Sequence, residues 1–304
     1  MNVQNNPSRR KILKTGLAAL GASTVLSPKG FAAPKKPGEV RVLFLFGDYW
    51  HNGMTQEIHW RRILGVTGWR LLFAQTSRAV TPEILAETDL FVFSRYAGID
   101  YPAWSGAEIV ETRPAGEVWM SDEQEDAIIE NVHRGMGLLP YHCAIWNADK
   151  KKFLALLGVK KPLVHGNIRE MTSFYDLNQA HPITRDVEPF EEVDEIFDAE
   201  MLDVEYELLF RARQKAPSVE NPPAWIREYG DAMGAKYKGP ILDRPGGWTR
   251  EVGDGRIVFL NAGSTPEIFW KKSMKEIMWR SAHWAMKMAI PESRFVEGHG
   301  RDRE

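Results

Sequence analysis

The sequence predicts an α/β protein built on a parallel sheet with helices packed over it. Three observations carry that expectation. Val40 to Phe46 is an apolar run broken only by Arg41, the pattern of a strand buried on both faces. Strand-like and helix-like segments then alternate at short intervals through the first half of the chain. The stretch from Arg134 to Asn147 reads as helix end, tight turn, buried strand and exposed elbow, with Gly135 and Gly137 permitting the turn and Leu138 to Tyr141 supplying the strand. His142 and Cys143 arrive where that strand ends. Ligands in open α/β sheets bind outside the carboxyl ends of strands, so a histidine there is well placed for chemistry.

The elements follow in order. After the first strand, Gly47 to Gly53 forms a loop, and a helix runs from about Thr55 to Leu64. Trp69 to Ala74 is a second strand. Thr81-Pro82-Glu83 opens a short helix with a cap followed by proline, and Leu90 to Ser94 is a third strand. Tyr96 to Met120, rich in glycine, proline and aromatics, reads as an insertion or lid. Ser121-Asp122-Glu123-Gln124 is a capping box for a helix that presents Ile128, Ile129 and Val132 on one face. Another amphipathic helix spans Asp149 to Leu157 and ends at Gly158. Beyond it the pattern is less regular. Arg169 to Leu177 and Tyr206 to Arg211 look like strands, Pro189 to Phe197 carries a dense acidic run, and Gln214 to Gly247 reads as a surface excursion. Trp248 to Val252 and Arg256 to Asn261 form a hairpin across Gly253-Asp254-Gly255. A last helix from about Phe269 to Ala289 turns Met274, Ile277, Met278, Ser281, Ala285 and Met288 inward. Residues 291–304 form a charged tail.

Residues 1–33 read as an export signal rather than part of the fold. Ser8-Arg9-Arg10-Lys11 is a twin-arginine pattern, Thr15 to Leu26 is an apolar run too short to span a membrane, and Ala32-Ala33 suits cleavage. The expectation is a periplasmic or secreted protein that engages the twin-arginine translocase during export. The domain itself is expected over residues 38–290. Removing the signal takes away five positive charges and moves the formal balance from −2 to −7. That argues against nucleic acid or, after cleavage, an anionic membrane as partner. Cys143 is the only cysteine, so no internal disulfide is available.

Four motifs recur in fixed order: Gly-x-x-x-His (Gly47 to His51), Gly-x-Gly-Leu-Leu-x-x-His-Cys-Ala (Gly135 to Ala144), His-Pro-Ile-Thr (His181 to Thr184) with Asp-Glu-Ile-Phe (Asp194 to Phe197), and Trp-x-x-x-x-Gly-x-Gly-Arg-Ile-x-Phe (Trp248 to Phe259). Together they resemble the trehalose-utilisation (ThuA-like) family from about Val40 to Ala289. The resemblance implies a class I glutamine-amidotransferase-like, flavodoxin-like three-layer fold with a mostly parallel central sheet and loop insertions. It also implies a role in disaccharide or keto-sugar catabolism, with a small carbohydrate as partner. One position departs. Where the family usually follows its last strand with Gly-His, this chain has Gly263-Ser264.

His142 is the leading candidate, as general base or as metal ligand; the plainer alternative is a core histidine satisfied by a backbone carbonyl. Cys143 invites a nucleophilic-thiol reading. Its neighbours are too large for a Gly-x-Cys-x-Gly elbow, however, and no His-x-Glu follows late in the chain, since His283 leads into Trp284-Ala285. A small structural cysteine is preferred, and glutamine amidotransferase activity is not expected. His51 is placed to converge with His142. His59, eight residues on, reads as a helix-surface residue, and His181 as a turn cap or substrate contact. Within the acidic run, Asp194 or Glu195 is expected to act as acid or base, or to complete a His/carboxylate site. A divalent metal, zinc foremost, is expected on His51 and His142 if one is bound. Trp50, Tyr96, Trp104 and Trp146 fall in loops at the strands' carboxyl edge, where they form a sugar-stacking platform or pack under the insertion.

Overall fold

A computed structural model describes residues 33–48, 51–74, 76–96, 119–147, 149–163, 172–215, 241–292, 294–296 and 298. Residues 1–32 of the expected signal peptide, Trp50, Trp104 and most of the segment from Tyr96 to Met120 lie outside these residues. Among the described residues, no helix is long and apolar enough to cross a membrane.

The first strand, β1 (Arg41–Leu45), is fully buried along its length, as its apolar run requires. It pairs in parallel with β2 (Arg70–Ala74) on one side and β3 (Leu90–Phe93) on the other. β3 pairs in parallel with β4 (Gly137–Pro140), and β4 with β11 (Gly255–Leu260). The order β2-β1-β3-β4-β11 is the 2-1-3-4-5 arrangement of flavodoxin-like folds, which reverses direction between β1 and β3. On the far side of β11 the sheet continues antiparallel through β10 (Ile241–Val252), β9 (Glu207–Lys215), β6 (Thr172–Leu177) and β7 (Phe190–Val193). The sheet is therefore mixed, with a parallel core and an antiparallel wing.

Helices α1 (Gly53–Leu64) and α5 (Lys272–Ala285) pack together on one face. There Trp60, Ile63, Met274, Ile277 and Met278 join Val42, Phe44, Leu139 and Val258 in one core cluster. Alternation sends Leu43, Leu45, Phe91 and Phe93 to the opposite face. That face is covered by α2 (Pro82–Ala86), α3 (Asp122–His133) and α4 (Lys151–Leu157), with Phe93 and Phe153 rings 5.5 Å apart. Each fully buried side chain of this kind contributes roughly 1.5–3 kcal/mol.

The local signals correspond to bonds. Ser121 and Gln124 exchange both hydrogen bonds of the capping box, the Thr81 hydroxyl accepts from the Ile84 N–H, and Gly158 ends α4 in a left-handed turn. Several expectations change. The acidic run contains β7, whose Phe190 and Glu192 side and Glu191 and Val193 side alternate in burial. β5 (Val159–Leu163) pairs with β8 (Asp198–Met201) in a small second sheet. Residues 241–247, read as part of a surface excursion, instead begin β10, which absorbs Pro245 and its two glycines through irregularities in its pairing with β9. The last helix is shorter than expected. Pro266–Trp270 forms a separate 3-10 turn, α5 stops at Ala285, and Met288 is exposed.

Candidate functional site

Parallel strands β1, β3, β4 and β11 end on one edge, and the loops leaving them supply the site. After β1, Gly47 adopts φ of +85°, and a Cβ on Gly53 would stand 3.0 Å from the Gly47 Cα. Both positions need glycine for the loop to fold back into α1, which Asn52 caps. The fold-back brings Asp48 and His51 face to face. The Asp48 carboxylate accepts from the His51 backbone N–H at 2.9 Å and from the Tyr96 N–H at 2.8 Å. Its two oxygens lie 2.8 and 3.0 Å from His51 Nδ1.

After β4, His142 sits at the elbow with φ of +47°, a left-handed conformation uncommon for a residue with a side chain. This backbone turn aims the ring back toward the β1 loop. His142 Nε2 is 3.1 Å from His51 Nε2, and Nδ1 is 3.1 Å from the Asn261 carbonyl oxygen at the end of β11. Asn261 also clasps the segment after β7. Its side chain accepts from the Phe197 N–H and donates to the Phe197 carbonyl. The clasp sets Glu195 beside the pair, with Oε2 3.6 Å from His142 Nε2 and 3.2 Å from the Ser264 hydroxyl that donates to it. The His142 ring is fully buried, whereas His51 keeps 7% and Glu195 4% of their surface exposed. Polar groups, not hydrocarbon alone, surround the buried imidazole.

Asp194 and Glu195 take different parts. The Asp194 carboxylate accepts from the backbone N–H groups of Gly263, Ser264 and Thr265 and from the Tyr175 hydroxyl. Burial pushes its carboxyl above the usual range, opposed by His142 and these donors. The same burial, with Asp194 alongside, pushes the Tyr175 phenol well up. Asp194 therefore holds the loop after β11 in place, which leaves Glu195, of the two carboxylates expected as alternatives, facing the histidine pair.

Cys143 is fully buried, and its thiol donates to Asp48 at 3.4 Å and lies 3.3 Å from the Ser94 hydroxyl. Burial, then the Asp48 charge, pushes the thiol well above its ordinary pKa. This is the environment of a protonated, inert cysteine.

Tyr96 and Trp146 come within 6.5 Å of each other, and Phe197 bridges Trp146 to the His142 ring at 5.7 and 4.6 Å. His59 is not on a helix surface; it is buried and stacked against Phe269. His181 lies elsewhere. Its Nδ1 accepts from the Ile183 N–H, its ring packs on Trp284, and Arg256 at the start of β11 is close enough to act on it. Five strand residues, about 16 Å, separate Arg256 from Asn261, so His181 belongs to the opposite edge of the sheet. Of its two expected parts, turn cap and substrate contact, the bond from the Ile183 N–H is that of the turn cap. Burial, with Arg256 and Arg185 nearby, lowers its pKa to about 4.

Sequence reasoning missed Asp48, Asn261 and Ser264. Asp48 had a local signal, an acidic residue three positions before a candidate histidine in a glycine-bounded loop. Asn261 had none, because its partners are distant in the chain, and Ser264 was marked only as the position where the family usually has histidine. Among the described residues, two groups offer three metal-ligand atoms within 4.8 Å of one another: His51, His142 and Glu195, and Asp48, His51 and Cys143.

A family model described as trehalose utilisation (ThuA) matches residues 41–285. A ThuA-like protein of Bacteroides uniformis shares 14% identity, with 83% of this chain and 94% of that chain covered and a TM-score of 0.54. A ThuA-like protein of Parabacteroides merdae shares 16% identity over 88% of this chain and 98% of that one, with a TM-score of 0.56. These likenesses speak for the fold. None of the curated proteins compared matches the chain.

Proposed function

The chain belongs to the trehalose-utilisation (ThuA) family, so its role is related to carbohydrate use, and we propose that it acts on a glycoside or an oxidised (keto) sugar at the His51–His142–Glu195 cluster. One observation carries the reading: two imidazole nitrogens and a carboxylate oxygen from three separate loops converge at the carboxyl edge of the sheet, next to its reversal point. Proton abstraction beside a carbonyl suits this set. The carbon gives up its proton to a base, the electron pair moves onto the carbonyl oxygen, and the enolate then expels a substituent from the next carbon or is reprotonated elsewhere. Those two fates are elimination and isomerisation; hydrolysis of a glycosidic bond is the third reaction within reach of the same groups. His142 Nε2 is the atom at the centre, either taking the proton itself or holding the group that does. Tyr96 and Trp146 offer aromatic faces for a sugar ring.

We further propose that the protein works outside the cytoplasm after twin-arginine export, on the strength of Arg9-Arg10 and the apolar run behind them. A second reading, a carbohydrate-binding protein without turnover, is favoured by Ser264 standing where the family usually has histidine. A screen of disaccharides and their 3-keto derivatives for turnover and thermal-shift binding separates the two. Turnover that disappears in His142→Ala supports the enzyme. Binding with no turnover of any compound supports the second reading, and neither binding nor turnover rejects both.

A further inference from the structure

We propose that His51 Nε2, His142 Nε2 and Glu195 Oε2 bind one divalent metal ion of the zinc class, leaving a coordination position open to water and substrate. The proposal deepens the reading above, since it concerns the same site, but it stands on separate observations.

The first is where the ring protons must be. The Asn261 carbonyl can only accept, so His142 Nδ1 carries the proton in the bond between them. Asp48 accepts from the N–H groups of His51 and Tyr96 and from the Cys143 thiol, so it is an acceptor toward His51 Nδ1 as well. In the neutral rings both Nε2 atoms are then bare. Two lone pairs face each other at 3.1 Å, and a carboxylate oxygen stands 3.6 Å from one of them. Three electron-pair donors so close, in a buried setting, repel one another unless a cation sits among them. A proton satisfies one pair of these atoms; a metal ion satisfies all three.

The second observation is metrical. A tetrahedral zinc with Zn–N bonds of about 2.05 Å separates two ligand nitrogens by about 3.3 Å. The observed 3.1 and 3.6 Å straddle that value. The third is the outer ring of partners. Metal-bound histidines usually donate their other ring N–H to a carboxylate or backbone carbonyl, and here Asp48 and Asn261 fill those parts. Ser264 likewise fixes Glu195. The competing trio of Asp48, His51 and Cys143 would need His51 to surrender the Nδ1 proton it gives to Asp48 and would need an ionised thiol. The same hydrogen bonds therefore choose between the two. With the ion in place the histidines are ligands, and the bound water or a polarised substrate oxygen carries the chemistry.

The test uses the full chain without a histidine tag, stripped with a chelator and titrated with Zn²⁺ by calorimetry and with Co²⁺ by visible absorption. One equivalent is expected to bind, with the cobalt bands of a four- or five-coordinate site. His142→Ala and Glu195→Ala should abolish those bands, Asp48→Asn should weaken binding by about 10–100-fold, and His181→Ala should change nothing. If circular dichroism shows His142→Ala to be unfolded, His51→Ala and Glu195→Gln make the same comparison. Absence of stoichiometric binding, or binding unchanged in the ligand variants, overturns the proposal. Sugar turnover that survives in metal-free protein overturns the metal but leaves the carbohydrate reading. Stoichiometric metal with no sugar bound or turned over does the reverse.

Discussion

His142 and His51 lie 91 positions apart in the chain, yet their Nε2 atoms meet at 3.1 Å. The meeting follows from the topology. β1 and β4 flank β3 in a parallel block, so the loops that leave them emerge on one edge. A left-handed residue at 142 and a fold-back between Gly47 and Gly53 turn the two rings toward each other.

The conformation of His142 yields a first expectation. Replacing it with alanine or glycine removes the ring equally, but only glycine adopts φ of +47° without steric cost. His142→Gly should be more stable than His142→Ala by about 1 kcal/mol, although neither turns over substrate. Urea midpoints decide it, and an alanine variant as stable as the glycine variant would contradict the backbone argument.

Asp194→Ala should destabilise the fold by about 3 kcal/mol. It strips three backbone N–H groups and the Tyr175 hydroxyl of their common acceptor. Ser264 should move with the loop, so Glu195 loses its fixed position and metal affinity falls as well. A variant that unfolds with the wild type in urea would show that the loop does not depend on this carboxylate.

Cys143→Ala should cost no more than about 1 kcal/mol and leave turnover within a few-fold. The thiol is fully buried and donates to Asp48, so iodoacetamide should label it only after unfolding, and no glutaminase activity should be found. Rapid labelling of the native protein, with loss of turnover, would return the thiol to the reaction.

His181 makes stability depend on pH. Its folded-state pKa of about 4 lies below its ordinary 6.5 because of burial and two arginines, and the exposed Glu207 carboxylate 3.8 Å away does not offset them. The unfolded chain therefore takes up this proton first. Stability from His181 is complete above pH 6.5 and is lost as pH falls toward 4, by at most about 3 kcal/mol. His283, also lowered by burial, adds a slope of the same sign. Denaturant midpoints across this range should flatten in His181→Asn, and an unchanged slope would contradict the placement.

The parallel half of the fold was legible because strands buried on both faces leave unbroken apolar runs, as in Leu90–Phe93. The antiparallel wing was harder to read. Phe190 and Val193 hide an alternation beneath glutamates, Lys160, Lys161 and Pro162 disguise an edge pairing, and Pro245-Gly246-Gly247 looks like a break but forms an irregularity within β10. At the site, His142 could be placed from the glycines ahead of it. The choice between Asp194 and Glu195 could not, because it turns on which groups each carboxylate accepts from. Their partners in the loop from Gly263 to Thr265 lie some 70 positions away.

The bare nitrogens facing each other at the centre of the site can be observed directly. ¹⁵N NMR of the histidine rings in chelator-treated protein at pH 8 reports which nitrogen of His51 and of His142 carries the proton. Protons on both Nδ1 atoms and on neither Nε2 is the expected result, with both Nε2 resonances shifting when one equivalent of Zn²⁺ is added. A proton found on either Nε2, unmoved by metal, would contradict it.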